Sequence, residues 1–148
     1  MVQIKTVVIY NPVYCRIMQI LKEDPKIESV GLSFGIYEED KIIIRNFVSV
    51  ANLDNSTVSF SLDYEVLYKE IQYHEEKGEV LVGIFHSHPE EARLYPSQKD
   101  HHFMRYWPYP YLWLIGSIGG GESTPRLAIF TLLNEKIIEI PYLIVNTT

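Results

Sequence analysis

The sequence predicts a single α+β domain, a mixed α/β sandwich in which two or three helices flank a central mixed sheet of about six to eight strands. Its 148 residues are enough for one hydrophobic core and too few for two. With 47% hydrophobic residues, the chain can bury such a core and should not remain disordered. Apolar runs with strand and helix spacing alternate along the chain, and no linker or repeat interrupts residues 1–148.

The N-terminal region predicts a strand followed by an amphipathic helix. Val2–Tyr10 partly alternates between polar and apolar residues, which is typical of a strand. Asn11-Pro12 predicts the start of a helix that runs to about Glu23. Cys15, the only cysteine, excludes an intramolecular disulfide and a multi-thiolate zinc site. We expect it to be a small buried residue of this helix. The apolar face predicted for the helix consists of Val13, Ile17, Met18 and Leu21.

A hairpin and a second helix are predicted next. Residues 29–37 and 41–50 are apolar strands on either side of the polar turn Glu38–Asp40. Residues 61–78 have helical spacing of apolar side chains, and Gly78 is a plausible end for that helix. His74 falls on this helix, where a structural role is expected.

The remaining half begins with a nearly continuous apolar run, residues 79–85, that predicts a buried central strand leading into His86. A short helix is predicted from Ser97 to about Tyr106. The aromatic segment Tyr106–Trp113 is expected to contribute to the core and to a surface lip. Three short strands complete the prediction: Leu112–Ile118, Arg126–Leu133 and Lys136–Leu143.

Charge and hydropathy exclude several classes of function. Thirteen Lys and Arg against nineteen Asp and Glu give a formal charge of −6, and no basic run is present. Nucleic-acid binding needs clustered basic residues, so we expect no nucleic-acid partner. The start of the chain lacks the pattern of a signal peptide, and its apolar runs are shorter than the ~20 residues that span a bilayer. We therefore expect a cytoplasmic protein with no membrane association.

Four of the five histidines lie between residues 84 and 102. His86 and His88 end the predicted central strand, where residues i and i+2 point in the same direction. Two imidazoles placed in this way suit a single metal ion. Zinc binds nitrogen and carboxylate oxygen, and a catalytic zinc site has three protein ligands and one open position. A third ligand must come from nearby, and Asp100 is the obvious carboxylate.

The segment Ser97–Asp100 has a second interpretation. Ser-x-x-Asp at the start of a helix is close to a capping box, with Ser97 at the N-cap and Asp100 at N3. Capping alone would explain these two residues without any metal. Both interpretations can hold together, because a capped first turn would fix both side chains at the end of the strand. His101 and His102 follow on the same helix, and at most one of them can share the side of Asp100.

Taken together, the sequences "HSHP" and "SQKD" resemble the signature of the JAMM (MPN+) metalloprotease family. That family also has an upstream glutamate in a Glu-x-x-Gly-Leu context, and "ESVGL" supplies Glu28 in that position. The match spans Glu28 to Asp100. One departure is the spacer of eight residues between His88 and Ser97, one residue longer than is usual in the family. A longer surface turn costs little entropy but changes the entry to the site.

The resemblance implies the JAMM/MPN fold, a cytidine-deaminase-like sandwich, and a compact stand-alone prokaryotic or archaeal type of member. It implies one zinc ion (Zn2+) per chain, with His86, His88 and Asp100 as metal ligands. Glu28 would act as general base and then general acid, and Ser97 would stabilise the oxyanion. The implied activity is that of a deubiquitinase-like isopeptidase or peptidase, which hydrolyses the isopeptide or linear peptide bond after a C-terminal Gly-Gly. Its partners would be ubiquitin, a small archaeal modifier, a sulfur-carrier protein or their conjugates, and a homodimer is compatible with the sequence.

Three alternatives belong to other classes. A non-catalytic MPN-type scaffold would bind a partner without turnover, although the full set of site residues argues against it. An amidohydrolase barrel can also begin its metal site with His-x-His but needs about 250 residues. A nucleobase deaminase needs His-x-Glu and a Cys-x-x-Cys pair, which one cysteine cannot supply.

Overall fold

The structure is a computed structural model that describes residues 3–23, 29–53, 62–88, 94–117 and 124–147. These residues form one strongly curled sheet and three helices. In chain order the elements are β1 (Thr6–Tyr10), α1 (Asn11–Glu23), β2 (Val30–Glu38), β3 (Lys41–Val50), α2 (Tyr64–Glu75), β4 (Val80–His88), α3 (Gln98–Met104), β5 (Leu112–Ser117), β6 (Arg126–Leu133), β7 (Lys136–Glu139) and β8 (Tyr142–Val145).

The eight strands form a mixed sheet in the order β7-β6-β5-β4-β2-β3-β1-β8. The central strand β4 pairs antiparallel with β2 and parallel with β5. Strands β7 and β8 lie at opposite edges, although only Ile140 and Pro141 separate them along the chain. Ile140 donates its N–H to Ile129 of β6, and the carbonyl of Pro141 accepts from Val7 of β1. The sheet must therefore curl until its two edges come close together.

The helices lie on both sides of this sheet. Residues of β5 alternate between its two faces. Leu112 and Leu114 belong to the core cluster that also contains Ile17 and Leu21 of α1. Trp113 and Ile115 pack instead with Met104 of α3. On that same second side, Leu67 of α2 packs with Phe34 and Ile84. The concave face thus holds α1, and the other face carries α2 and α3.

Most of the predicted elements are confirmed. The α+β class, the helix from Asn11 to Glu23, the hairpin around Glu38–Asp40 and the strand Arg126–Leu133 are all present. The first strand is shorter than predicted and begins at Thr6, and the third helix ends at Met104. Strand β4 is buried from its second residue to its last, as its continuous apolar run predicts. Among the described residues, no helix combines the length and apolar character needed to cross a bilayer.

Two predictions are wrong. Lys136–Leu143 is two strands on opposite edges of the sheet, because Pro141 has no N–H to continue a ladder and the chain crosses over at that point. Cys15 is exposed and not buried. It lies two residues after Val13, which is about 200° around a helix from the face that packs into the core.

His74 has the structural role that was predicted. It is buried near the end of α2, and its ring stacks on Phe34 with a centroid separation of 3.9 Å. Its Nδ1 lies 3.1 Å from a carboxylate oxygen of the buried Glu79, and the same oxygen accepts from Asn46. This group joins the helix to β2 and β3. Gly78, in the turn that follows, has φ +81°, a conformation that favours glycine.

Candidate metal centre

The site begins at the C-terminal end of β4. His86 and His88 are two residues apart on this strand and therefore project from the same face of the sheet. Their Nε2 atoms lie 3.0 Å apart, and the two side chains are almost completely buried. The predicted side-by-side arrangement is confirmed. Two imidazoles face one small volume at the edge of the core.

Helix α3 brings Asp100 to the same point. Its Oδ1 lies 3.1 Å from Nε2 of His86, and its Oδ2 lies 2.9 Å from Nε2 of His88. The capping box is also present. Ser97 Oγ accepts from the Asp100 N–H at 3.0 Å, and Asp100 Oδ2 accepts from the Ser97 N–H at 2.9 Å. The cap therefore fixes the side chain that faces the histidines.

Burial and hydrogen bonding control the charges in this cluster. Burial lowers the pKa of His86 and outweighs the opposing effect of Asp100, so its imidazole favours the neutral form that binds metals. Burial alone would raise the pKa of Asp100. Its hydrogen bonds with His86 and His88 prevail and hold this pKa well below the usual range. The cluster therefore presents a neutral imidazole at His86 and an ionised carboxylate at Asp100.

These three residues could hold a metal ion. One ligand atom from each of His86, His88 and Asp100 lies within 4.8 Å of the others, and all three residues are buried. Two imidazole nitrogens and one carboxylate form a donor set typical of catalytic zinc sites with an open position. The residues present thus fit the metal that the sequence resemblance implies.

Two features that support the site were not predicted. Ser87, between the two histidines, accepts from the Ser29 N–H through Oγ at 2.7 Å and donates its own N–H to the carbonyl of Ser29. The buried indole of Trp113 meets the His86 ring edge-on at 6.0 Å. The position of Ser87 between two predicted ligands was only a weak signal for its contact with Ser29. The contact between Trp113 and His86 depends on the pairing of β4 with β5, which no local pattern reveals.

Other predicted residues are placed only in part. Glu28 lies outside the described residues, as do residues 89–93 of the spacer. His101 is half-buried, whereas His102 is exposed and contacts Phe103 and Tyr106. Within the aromatic segment Tyr106–Trp113, the first residue is exposed and the last is buried. The segment therefore contributes to both core and surface, as predicted.

The family model for prokaryotic homologues of the JAB domain matches residues 11–129, which include β4, α3 and the whole cluster. This chain belongs to the prokaryotic JAB family. The predicted relationship to JAMM proteins, in a prokaryotic form, is confirmed.

One relative by sequence and one solved structure are similar to this chain. The chain is 33% identical over 102 residues to a desampylase from Pyrococcus furiosus, in a match that covers 69% of this chain and 68% of the relative. A protein from Desulfitobacterium hafniense, solved in solution, has the same fold. It superimposes with a TM-score of 0.80 at 23% identity, over 95% of this chain and 94% of that protein.

Proposed function

We propose that this protein is a zinc-dependent isopeptidase. Its substrate would be the amide bond after the C-terminal Gly-Gly of a ubiquitin-like protein, either a small archaeal modifier or a sulfur carrier. The observation that carries the proposal is the buried cluster of His86, His88 and Asp100 in a member of the prokaryotic JAB family. The similarity to a relative named desampylase supports this class of substrate.

His86, His88 and Asp100 would hold the zinc ion. When bound, zinc would act as a Lewis acid and lower the pKa of water to about 7. The protein's own contribution is a dry and rigid ligand set. The rings are fixed by the β4 backbone, and the carboxylate is fixed by the capping box of α3. Such prior positioning limits the reorganisation that is needed when the substrate arrives.

Glu28 is proposed as the general base that takes a proton from the attacking water and then donates it to the departing amine. Support comes from its neighbour Ser29, whose backbone is held on Ser87 by two hydrogen bonds. Ser87 lies between the two proposed ligands His86 and His88. The residue that follows Glu28 in the sequence is therefore held beside the two proposed ligands.

Ser97 is proposed as a hydrogen-bond donor to the oxyanion of the tetrahedral intermediate. Its Oγ accepts the Asp100 N–H, so this contact uses an acceptor site and leaves the hydroxyl hydrogen available. The side chain is exposed to solvent at the start of α3, where a substrate can reach it. Ser97 would thus stabilise charge and would not act as a nucleophile.

The experiment compares Glu28→Gln with wild-type protein and with Glu23→Gln as a matched control. The substrate is a small archaeal modifier joined to a lysine side chain, with and without a zinc chelator. We expect the chelator to abolish cleavage. Glu28→Gln should retain its zinc while kcat falls by about 10²–10⁴, and Glu23→Gln should match wild type. Unchanged turnover in Glu28→Gln would refute the role of Glu28.

The alternative is a scaffold that binds a partner without turnover. Zinc content near zero, together with no cleavage by wild-type protein, would favour that alternative over the proposed enzyme.

A further inference from the structure

A cleft of about 360 Å³ opens beside Ser97. One wall is formed by Tyr95–Gln98 and His101, at and just before the start of α3. The other wall is formed by Glu135 and Ile137 of the β6–β7 hairpin. Ser97 belongs to this cleft and also caps the helix that carries Asp100. Any group bound in the cleft therefore lies next to the proposed oxyanion donor.

His101 provides an unused hydrogen-bonding group in this wall. Its Nε2 is shielded from solvent and has no hydrogen-bond partner among the described residues. Buried polar atoms are nearly always paired, so an unpaired one calls for an explanation, such as a ligand that is absent. As an imidazole nitrogen, Nε2 can either donate or accept, depending on the tautomer.

The opposite wall carries a carboxylate that can change partners. Glu135 lies 3.2 Å from Nε of Arg105, but the two side chains are 70% and 55% exposed. Exposed pairs of this kind contribute little, so Glu135 can accept a new cation at low cost. The cleft is also lined by the buried Pro96 and the half-buried Ile137, whose apolar surface suits an aliphatic chain.

The chemistry of these walls indicates which side of the scissile bond they would contact. A Gly-Gly tail has no side chain and needs only a narrow channel. A cleft with aliphatic surface, a hydrogen-bonding imidazole and a carboxylate at its rim suits a lysine side chain, with its aliphatic stem and terminal nitrogen. Hydrolysis adds water across the amide. The C–N bond breaks, and the products are a glycine carboxylate and a lysine ammonium, which Glu135 would attract.

We propose that this cleft is the subsite for the amine side of the substrate and receives the modified lysine of the conjugated protein. The inference rests on the proposed isopeptidase function and adds the residues that recognise the leaving group. His101 and Glu135 are specificity-determining residues in this assignment and do not take part in the bond-breaking step.

The test uses two substrates that differ only in the leaving group. In one, a small archaeal modifier is joined to Nε of a lysine in a peptide; in the other, it ends in a methylamide. His101→Ala is paired with His102→Ala, its exposed neighbour. Glu135→Lys is paired with Glu39→Lys. Both glutamates have a positive φ in a hairpin turn (65° and 56°), but Glu39 lies at the far end of β2 from the site.

We expect His101→Ala and Glu135→Lys to lower kcat/KM on the lysine conjugate about tenfold more than on the methylamide, which corresponds to roughly one hydrogen bond or ion contact. The ratio between the two substrates should remain that of wild type in both controls. Zinc content is measured for every variant. His101 is next to Asp100 in the sequence, so His101→Ala could also lose zinc. In that case the result for Glu135→Lys decides whether the subsite assignment holds.

If these two variants lost kcat/KM equally on both substrates, or on neither, the subsite assignment would be overturned and the isopeptidase function would remain intact. If zinc-loaded wild-type protein cleaved neither substrate, the proposed function would fail and the subsite would fail with it.

Discussion

Replacing Asp100 by alanine separates its capping role from its proposed role as a metal ligand. The carboxylate contacts three groups in the structure: Nε2 of His86 at 3.1 Å, Nε2 of His88 at 2.9 Å and the N–H of Ser97 at 2.9 Å. A helix cap alone is worth about 1 kcal/mol. Taking one partner away from a buried hydrogen-bonded group costs about 1–3 kcal/mol, and Asp100 contacts two buried imidazoles besides the cap. We therefore expect Asp100→Ala to lower the free energy of unfolding of the metal-free protein by clearly more than the value of a cap alone.

Zinc gives the second part of this prediction. Metal that binds only the folded state at about 100 times its Kd stabilises that state by about 2.7 kcal/mol. When zinc is added, the free energy of unfolding of the wild-type protein, measured in urea, should increase by this amount. Asp100→Ala keeps only two of the three proposed ligands, so its increase should be close to zero.

Asp63→Ala is the matched control. Asp63 caps α2 by accepting the Glu65 N–H at 2.9 Å, and it is far along the chain from the histidines. Its loss should cost about 1 kcal/mol and leave the zinc-dependent increase unchanged. If Asp100→Ala behaved in the same way, with a small loss and a full response to zinc, Asp100 would be only a cap and the third ligand would lie elsewhere.

Three further predictions concern other parts of the structure. Ser97→Ala should lower the free energy of unfolding by about 1 kcal/mol and kcat by about 10²–10³ at constant zinc content, and wild-type turnover would contradict the role of Ser97. Gly35→Ala brings a methyl group against the backbone carbonyl of Ile43, which cannot rotate away, so urea unfolding should show a loss of about 1–3 kcal/mol or more, whereas a neutral effect would refute the close approach. Partial burial, with Tyr111 and Tyr109 nearby, raises the pKa of Tyr37 to about 12, although 44% of the residue's surface remains exposed. Because the folded-state pKa is raised, the stabilisation from Tyr37 is present below about pH 10 and is lost as pH rises through about 12. Tyr37→Phe should therefore lose less stability than wild type over that interval, and identical alkaline unfolding curves would contradict it.

The predictions that succeeded depend on local physical signals. Residues 80–85 are apolar, and such a run is typical of a strand buried on both faces, as β4 is from its second residue onwards. The polar turn at Glu38–Asp40 interrupts two apolar segments and forms the expected hairpin. In both cases the residues that determine the structure are neighbours along the chain.

The predictions that failed depend on distant contacts. The run Lys136–Leu143 has strand character throughout, but its last part pairs with β1, more than 130 residues earlier in the chain. That pairing requires the curl of the whole sheet, which periodicity does not encode. The cleft beside Ser97 escaped prediction for a similar reason, because its two walls come from α3 and the β6–β7 hairpin.

The capping box and the proposed metal site support one another through the two oxygens of a single carboxylate. Oδ2 of Asp100 accepts the Ser97 N–H, while Oδ1 makes no contact with the cap and faces His86. An ionised carboxylate has about four acceptor positions, so the cap occupies one and leaves others available to a metal. Ser97 likewise accepts through Oγ and retains a hydroxyl hydrogen to donate. The same Ser-x-x-Asp segment can therefore begin a helix and still supply the proposed ligand and oxyanion donor, because the helix start fixes both side chains while Asp100 faces the histidines.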